Sequence, residues 1–219
     1  HLRLLFTYAL AFCFLNLHVC ILSASDADPF EGNLLVATQA IGGPYQFTDE
    51  AYLLEVARGI EDMGSNLIKF ALNPRTYTKQ PYSLGRVRGI DSMAALLRKQ
   101  PVYKEVMDMD FRFYHMWASP YAKPGWQDGL NPTELKIIYK DFYELTTYLL
   151  TEYKGSGKRF FLGHWEGDWL LIGKTDASID PTPQRILGFA QYLNVRQQAI
   201  EDARVELQGQ GVWVYHYTE

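Results

Sequence analysis

The chain has 219 residues, a formal net charge of −4, 15% aromatic side chains and two cysteines. That length suits one domain or part of a larger one, and the slight acidity excludes the basic footprint expected of a nucleic-acid-binding protein. The aromatic abundance fits either a large core or a carbohydrate or peptide groove, and composition alone does not choose between them.

Arg3 precedes an apolar stretch from Leu4 to Leu22, and Ser23-Ala24-Ser25 supplies small residues for cleavage near Asp26. Residues 1–25 therefore read as a secretory signal peptide and 26–219 as the mature chain. Asn16 and His18 interrupt the stretch and no basic stop-transfer flank follows it. The expectation is a secreted, extracellular protein with no stable membrane insertion after signal cleavage. Cys13 and Cys20 both fall in the signal, so the mature chain has neither a disulfide framework nor a thiolate metal site. A secreted protein without disulfides needs a large core.

Apolar, strand-like runs then alternate with amphipathic helices. A first strand is predicted over 33–39, followed by a helix that Thr48 can cap, with Leu53, Leu54, Val56, Ala57, Ile60 and Met63 at helical spacing and Gly64 at its end. Asn66 to Leu72 reads as the second strand. A helix from about Asp91 to Lys99 is broken by Pro101, and a short helical piece follows near Tyr103 to Met107. Phe111 to Trp117 is the third strand. Asn131-Pro-Thr-Glu134 carries the signature of a capped helix start, with Pro at the first position and Glu at the third, and the helix runs to about Tyr153. Phe160 to Trp165 is the fourth strand. Thr182-Pro183 opens a helix to about Gln208, and Val212 to His216 is the fifth strand.

This alternation predicts an α/β fold with parallel strands and crossover helices. A doubly wound sheet and a (β/α)8 barrel both fit the pattern. Strand starts roughly 35 to 50 residues apart suit the barrel. The loop Gly42-Gly43-Pro44 after the first strand also lacks the Gly-rich phosphate cradle of a dinucleotide fold. A complete barrel takes about 250 residues, so the expectation is a partial TIM barrel with about five of eight strand–helix units. The last three units would follow Glu219.

Every predicted strand exits into polar or aromatic residues: Thr38 and Gln39, Asn73, His115 and Trp117, His164 and Glu166, then Tyr215, His216 and Glu219. In a barrel these ends converge on one rim, where active sites lie. The run Arg159-Phe-Phe-Leu-Gly-His-Trp-Glu-Gly-Asp-Trp169 is the most informative of them. Alternation places His164 and Glu166 on one face with Phe160 and Leu162. If that face points into the barrel, the lower layer is packing and the upper layer catalytic. An acid among indoles is the condition for a general acid at neutral pH. Glu166 could instead cap the following loop or pair with Arg112. Asp168 either binds a substrate hydroxyl or holds the loop, while Trp165, Trp169, Trp117 and Trp126 are stacking candidates. His115 and His216 could hydrogen-bond substrate or Glu166. No metal is expected, since neither an HExxH spacing nor a triad of ligands accompanies the histidines. Lys69, mid-strand, reads as a paired residue inside the barrel, with a Schiff-base role as a further option. No GxSxG motif is present.

Gly163-His-Trp-Glu-Gly-Asp-Trp-Leu-Leu171, preceded by Leu149-Leu-Thr-Glu-Tyr-Lys-Gly-Ser-Gly-Lys158 and accompanied by Asn194 to Ile200 and Val214-Tyr-His216, resembles the secreted (β/α)8 glycoside-hydrolase-like proteins. These belong to the broad clan that includes cellulases and mannanases. The resemblance implies that Glu166 is the acid/base glutamate closing the fourth strand; where the clan usually has Asn before it, this chain has Trp165. It further implies a nucleophile glutamate on a seventh strand, beyond residue 219, and no such role for Glu219. The expected function is hydrolysis of O-glycosyl bonds in an oligo- or polysaccharide by a retaining, two-carboxylate mechanism. No cofactor is expected. Glu166 would be catalytic; His164, His115, Trp117, Tyr215, His216, Asp168, Trp169, Gln39 and Asn73 would form the sugar subsite. A noncatalytic carbohydrate-binding or cell-wall protein on a degenerate barrel is the alternative, and a Lys69-dependent lyase or aldolase a weaker one. The fragment alone is expected to be inactive and poorly folded, because an open partial barrel exposes a sheet edge and half a core.

Overall fold

Apart from a short helix at Gly167–Ile172, strands and helices follow the predicted order. The computed structural model describes residues 38–40, 42, 45–123, 128–173, 176 and 178–219; the predicted signal peptide, residues 33–37 of the first predicted strand and Trp126 lie outside them. Strand β1 spans Thr38–Ala40, helix α1 Tyr52–Asp62 and strand β2 Leu67–Leu72. Two helices follow, α2 over Met93–Lys99 and α3 over Pro101–Asp108, then β3 over Phe113–Ala118 and the long helix α4 over Pro132–Glu152. Strand β4 covers Arg159–Gly163, a short helix α5 Gly167–Ile172, helix α6 Pro183–Glu206 and strand β5 Trp213–His216.

The five strands form one sheet in the order β1-β2-β3-β4-β5, and every pairing is parallel. Parallel neighbours require a crossover, and here helices supply it between consecutive strands. The protein is therefore an α/β fold whose strands pair in sequence order.

The two faces of the sheet differ sharply. Ile68, Phe70, Leu72, Tyr114, Met116, Ala118, Phe160, Leu162 and Val214 are buried, and they share one core with Leu53, Ile60, Leu96, Val106, Phe142, Leu149 and Ile200 of the helices. The opposite face carries side chains set in register that are mostly half-buried, with Gln39 and Trp213 exposed. Leu67, Phe113, Arg159 and Trp213 form one cross-strand row. Gln39, Lys69, His115, Phe161 and Tyr215 form the next. Ala71, Trp117 and Gly163 form a third, nearer the C-terminal ends.

Local chemistry sets the boundaries. Asn131 caps α4 with its side chain accepting from the N–H groups of Thr133 and Glu134, while the Glu134 carboxylate accepts from Asn131 N–H at 3.0 Å. Replacing Asn131 by Ala leaves these donors unpaired. It should lower stability by about 1 kcal/mol, seen as a drop of roughly 2–4 °C in melting temperature. Pro101 divides α2 from α3: Gln100 ends the first and caps the second, its side chain accepting from Val102 N–H. Thr48 does not cap α1. Ala51 holds that position, and Glu55 in the first turn reaches back to accept from the N–H groups of Phe47 and Thr48. No helix among the described residues is long and apolar enough to cross a membrane.

Candidate functional site

The C-terminal ends of the strands gather Lys69, His115, Trp117, Tyr217 and Glu219 on the face away from the helices. Lys69 rises from the middle of β2, and its ammonium lies 4.5 Å from the centre of the Trp117 ring. The Glu219 carboxylate pairs with that ammonium through Oε1. Its Oε2 accepts from Trp117 Nε1–H at 2.9 Å. Both oxygens of Glu219 are thus engaged, and Lys69 occupies the paired role foreseen for it.

Beside this cluster the His115 ring packs 4.5 Å from Phe161 and 5.3 Å from Tyr217, centre to centre. Phe161 in turn stacks on Tyr215 at 5.3 Å. Burial pushes the His115 pKa down, and the Lys69 ammonium adds to that, with Glu219 opposing. A neutral imidazole therefore sits among aromatic faces next to a charged pair.

Of the residues named from sequence, Gln39, His115 and Tyr215 occupy one cross-strand row, with Trp117 in the row above. His164 and His216 do not join them. The face shared by Phe160 and Leu162 packs against the helices, the side opposite the row of His115 and Tyr215. His164, in phase with that face, is buried with its ring 5.4 Å from Phe189. His216 is aligned with Leu162 and shares its face. Asn73 is committed to a turn, its side chain accepting from Arg75 N–H at 3.0 Å. Asp168 accepts from Trp169 N–H at 2.8 Å in the first turn of α5.

Glu166 lies beyond the regular strand, where alternation no longer sets direction. Its backbone adopts φ 36° and ψ 81°, a left-handed conformation unusual for a residue with a Cβ. It stands at the N-cap of α5 yet makes no side-chain capping hydrogen bond. Arg112, the other structural partner considered, precedes β3 at the opposite ends of the strands. No described residue hydrogen-bonds or ion-pairs with the half-buried Glu166 carboxylate. Trp165 and Trp169 flank it in sequence, about four-tenths exposed, and meet edge to face at 5.4 Å.

Gly167 ties this segment to the last residues of the chain. Its N–H donates to the Glu219 carbonyl at 3.2 Å. A Cβ at Gly167 would meet that oxygen at 2.4 Å and His164 Cε1 at 2.7 Å, so only glycine fits. The backbones that present Glu166 and Glu219 are therefore directly hydrogen-bonded neighbours.

The sequence reading left out Phe161, Tyr217 and Arg196. Phe161 and Tyr217 were available by counting alternate positions from His115's row along β4 and β5. Arg196 falls on the buried stripe Gly188, Tyr192, Arg196, Ala199 and Ala203 of α6, a charge in an otherwise inward-facing position.

Burial first, then Arg196 and His164, hold the His216 pKa down at about 3, against an ordinary value of 6.5. Between those limits the unfolded chain takes up a proton that the folded one excludes, so stability falls as pH falls through that window. His216→Gln should flatten the decline. The urea midpoint of the wild type is expected to drop more steeply from pH 6.5 to 4 than that of the variant.

No group of three or more His, Cys, Asp or Glu among the described residues is placed to hold a metal ion. A surface cleft of about 530 Å³, lined by Tyr45, Tyr52, Pro81, Tyr82 and Gln100 among others, contains none of the residues named from sequence. No family model, curated protein or solved structure matches the chain.

Proposed function

We propose that this chain is part of a secreted glycoside hydrolase acting on a β-linked oligo- or polysaccharide, with Glu166 as its general acid/base. One observation carries the reading. Glu166 sits at the C-terminal end of β4 with a left-handed backbone, and its carboxylate is engaged by no described residue. A carboxylate relieved of structural duty at such a point is free to give and take a proton.

The aromatic setting supports a sugar ligand. Trp117, Tyr215, Tyr217 and His115 line the face on which the Glu219 carboxylate is held, and the exposed Trp165 and Trp169 stand beside Glu166. Sugar rings present apolar C–H faces to aromatic planes and hydroxyl groups to fixed carboxylates and ammonium groups. Lys69 and Glu219, held against each other, are suited to hydroxyl recognition. Glu219, with both oxygens bonded, is not assigned as the nucleophile.

The fold reading that goes with this is five consecutive units of a (β/α)8 barrel. Its support is the sequential parallel order, the single helix-covered face and the row-by-row registration of large side chains on the other. Parallel sheets are normally covered on both faces, and closure into a barrel would bury those rows as its interior layers. The second carboxylate of a retaining mechanism is placed on a later strand of that barrel.

The test is release of reducing ends from a panel of β-linked glycans by the complete protein, with Glu166→Gln as the control. Turnover that survives the substitution overturns the assignment. Glycan binding with no turnover on any substrate would move the protein to the noncatalytic class.

A further inference from the structure

Beyond the C-terminal ends of β2 and β3 a second surface cleft, of about 490 Å³, is lined by Arg75, Tyr77, Arg86, Arg88, Asp91 and Tyr121 among others. Three guanidinium groups thus share the cleft with one carboxylate, in a chain whose net charge is −4. No described residue ion-pairs with any of the three arginines. The cleft of about 530 Å³ has no charged side chain among its described lining residues, so the gathering of cations is particular to this one.

The backbone holds these arginines in place while their side chains stay exposed. The segment 85–89 is tied down at every second residue. The Gly85 carbonyl accepts from Gln100 Nε2 at 3.0 Å, Val87 N–H donates to the Tyr77 hydroxyl at 3.0 Å, and the Gly89 carbonyl accepts from Lys99 Nζ at 2.7 Å. Arg86 and Arg88 alternate with these anchors and are exposed. Arg75 is set by the turn after β2, where the Asn73 side chain accepts from its N–H and the Asn73 carbonyl from those of Thr76 and Tyr77. A fixed backbone with only Asp91 to oppose the cations leaves planar donor forks ready for carboxylate or sulfate oxygens. Tyr121, 47% exposed, adds an aromatic face to the lining.

We propose that this cleft binds an anionic polysaccharide, one carrying carboxylate or sulfate groups along its chain, at a subsite away from Glu166. The guanidinium groups take the anionic substituents and Tyr121 takes the apolar face of a sugar ring. Pro74 and Arg75 follow β2, Tyr121 follows β3 and Glu166 follows β4, so the cleft and the proposed acid/base lie at the same end of the sheet. Strands β2 and β4 are two strand spacings apart, roughly 10 Å, a gap that several linked sugars can cross. The choice of a glycan over other anionic ligands rests on the glycosidase reading; the charge of the ligand does not.

Calorimetric titration of the purified chain compares hexasaccharides built on one β-linked mannose backbone: neutral, oxidised to carboxylate at the primary alcohols, and sulfated. At low ionic strength an anionic form should bind about tenfold more tightly than the neutral one, and which form does so separates a uronate from a sulfate ester. Arg86→Gln combined with Arg88→Gln should weaken the anionic ligand about tenfold, the loss of two exposed ion pairs, and leave the neutral one unchanged. Lys154→Gln combined with Arg58→Gln removes as many exposed charges elsewhere and should change neither. The proposal is overturned by equal or tighter binding of the neutral hexasaccharide, or by binding of none of them. An anionic preference kept by the Arg86 and Arg88 double variant, an equal loss in the control pair, or displacement of the sugar by inorganic sulfate at the same anion concentration also overturns it. Reducing-end release is scored separately. An anionic preference without turnover keeps this site and removes the enzyme, while turnover of neutral glycans alone does the reverse.

Discussion

Replacing Glu166 by Gln is expected to lower turnover of an unactivated glycan by about 10²–10⁴-fold, the usual contribution of a general acid or base. The amide has nearly the shape of the acid but carries no exchangeable acid proton. The loss should depend on the leaving group. A natural sugar leaves as a poor alkoxide and needs protonation, whereas an aryl glycoside with an acidic phenol does not. Glu166→Gln should therefore retain much more of the bond-breaking step on the activated substrate than on the glycan. Equal losses on both, measured by single-turnover kinetics, would place Glu166 in binding rather than proton transfer. Stability should change little, since no described residue bonds the carboxylate.

The second large effect is on folding. Phe160 is fully buried at the centre of the helix-facing side of β4, with Tyr114 at 5.3 Å and Tyr153 at 5.4 Å between ring centres. Phe160→Ala removes that ring from a packed interior and should cost about 3–5 kcal/mol. At roughly 2–4 °C per kcal/mol for a chain of this size, the melting temperature should fall by about 6–20 °C. Phe161→Ala, one residue on and half-buried on the other face, should cost less. The reverse order in urea titrations would mean that the two faces have been exchanged.

That pair of phenylalanines also explains where the sequence was legible and where it was not. Helix α4 could be read almost residue by residue, because Asn131, Pro132 and Glu134 act locally and the capping bonds form within one turn. The break at Pro101 is equally local. The facing of β4 could not be read, because Phe160, Phe161 and Leu162 are all apolar. A parallel strand with apolar side chains on both faces gives no alternation from which to take its phase. His164 does share the face of Phe160 and Leu162, and that face is the helix-covered one, where it packs against Phe189.

The same limit applies to the site. The polar character of each strand end was visible, and it brought Gln39, His115, Tyr215 and Trp117 to one face. What could not be seen was that Lys69 and Glu219, 150 positions apart, share a charge pair over Trp117. Nor could Glu166's left-handed backbone be foreseen, since a glutamate before Gly167 is no recognised cap. Short-range chemistry writes itself into adjacent residues; long-range pairing is written only in the folded chain.

The sequential order of the sheet has a consequence for how this chain is made. Each strand after β1 finds its hydrogen-bonding partner in the strand synthesised just before it, and no pairing waits for a distant segment. Each pairing closes the loop of one strand–helix unit rather than of the whole chain. On the ribosome, β2 can dock on β1 and β3 on β2 as each emerges, with α1 to α4 covering one side as it grows. Limited proteolysis of nascent chains stalled after α4 should accordingly find β1 to β3 already protected.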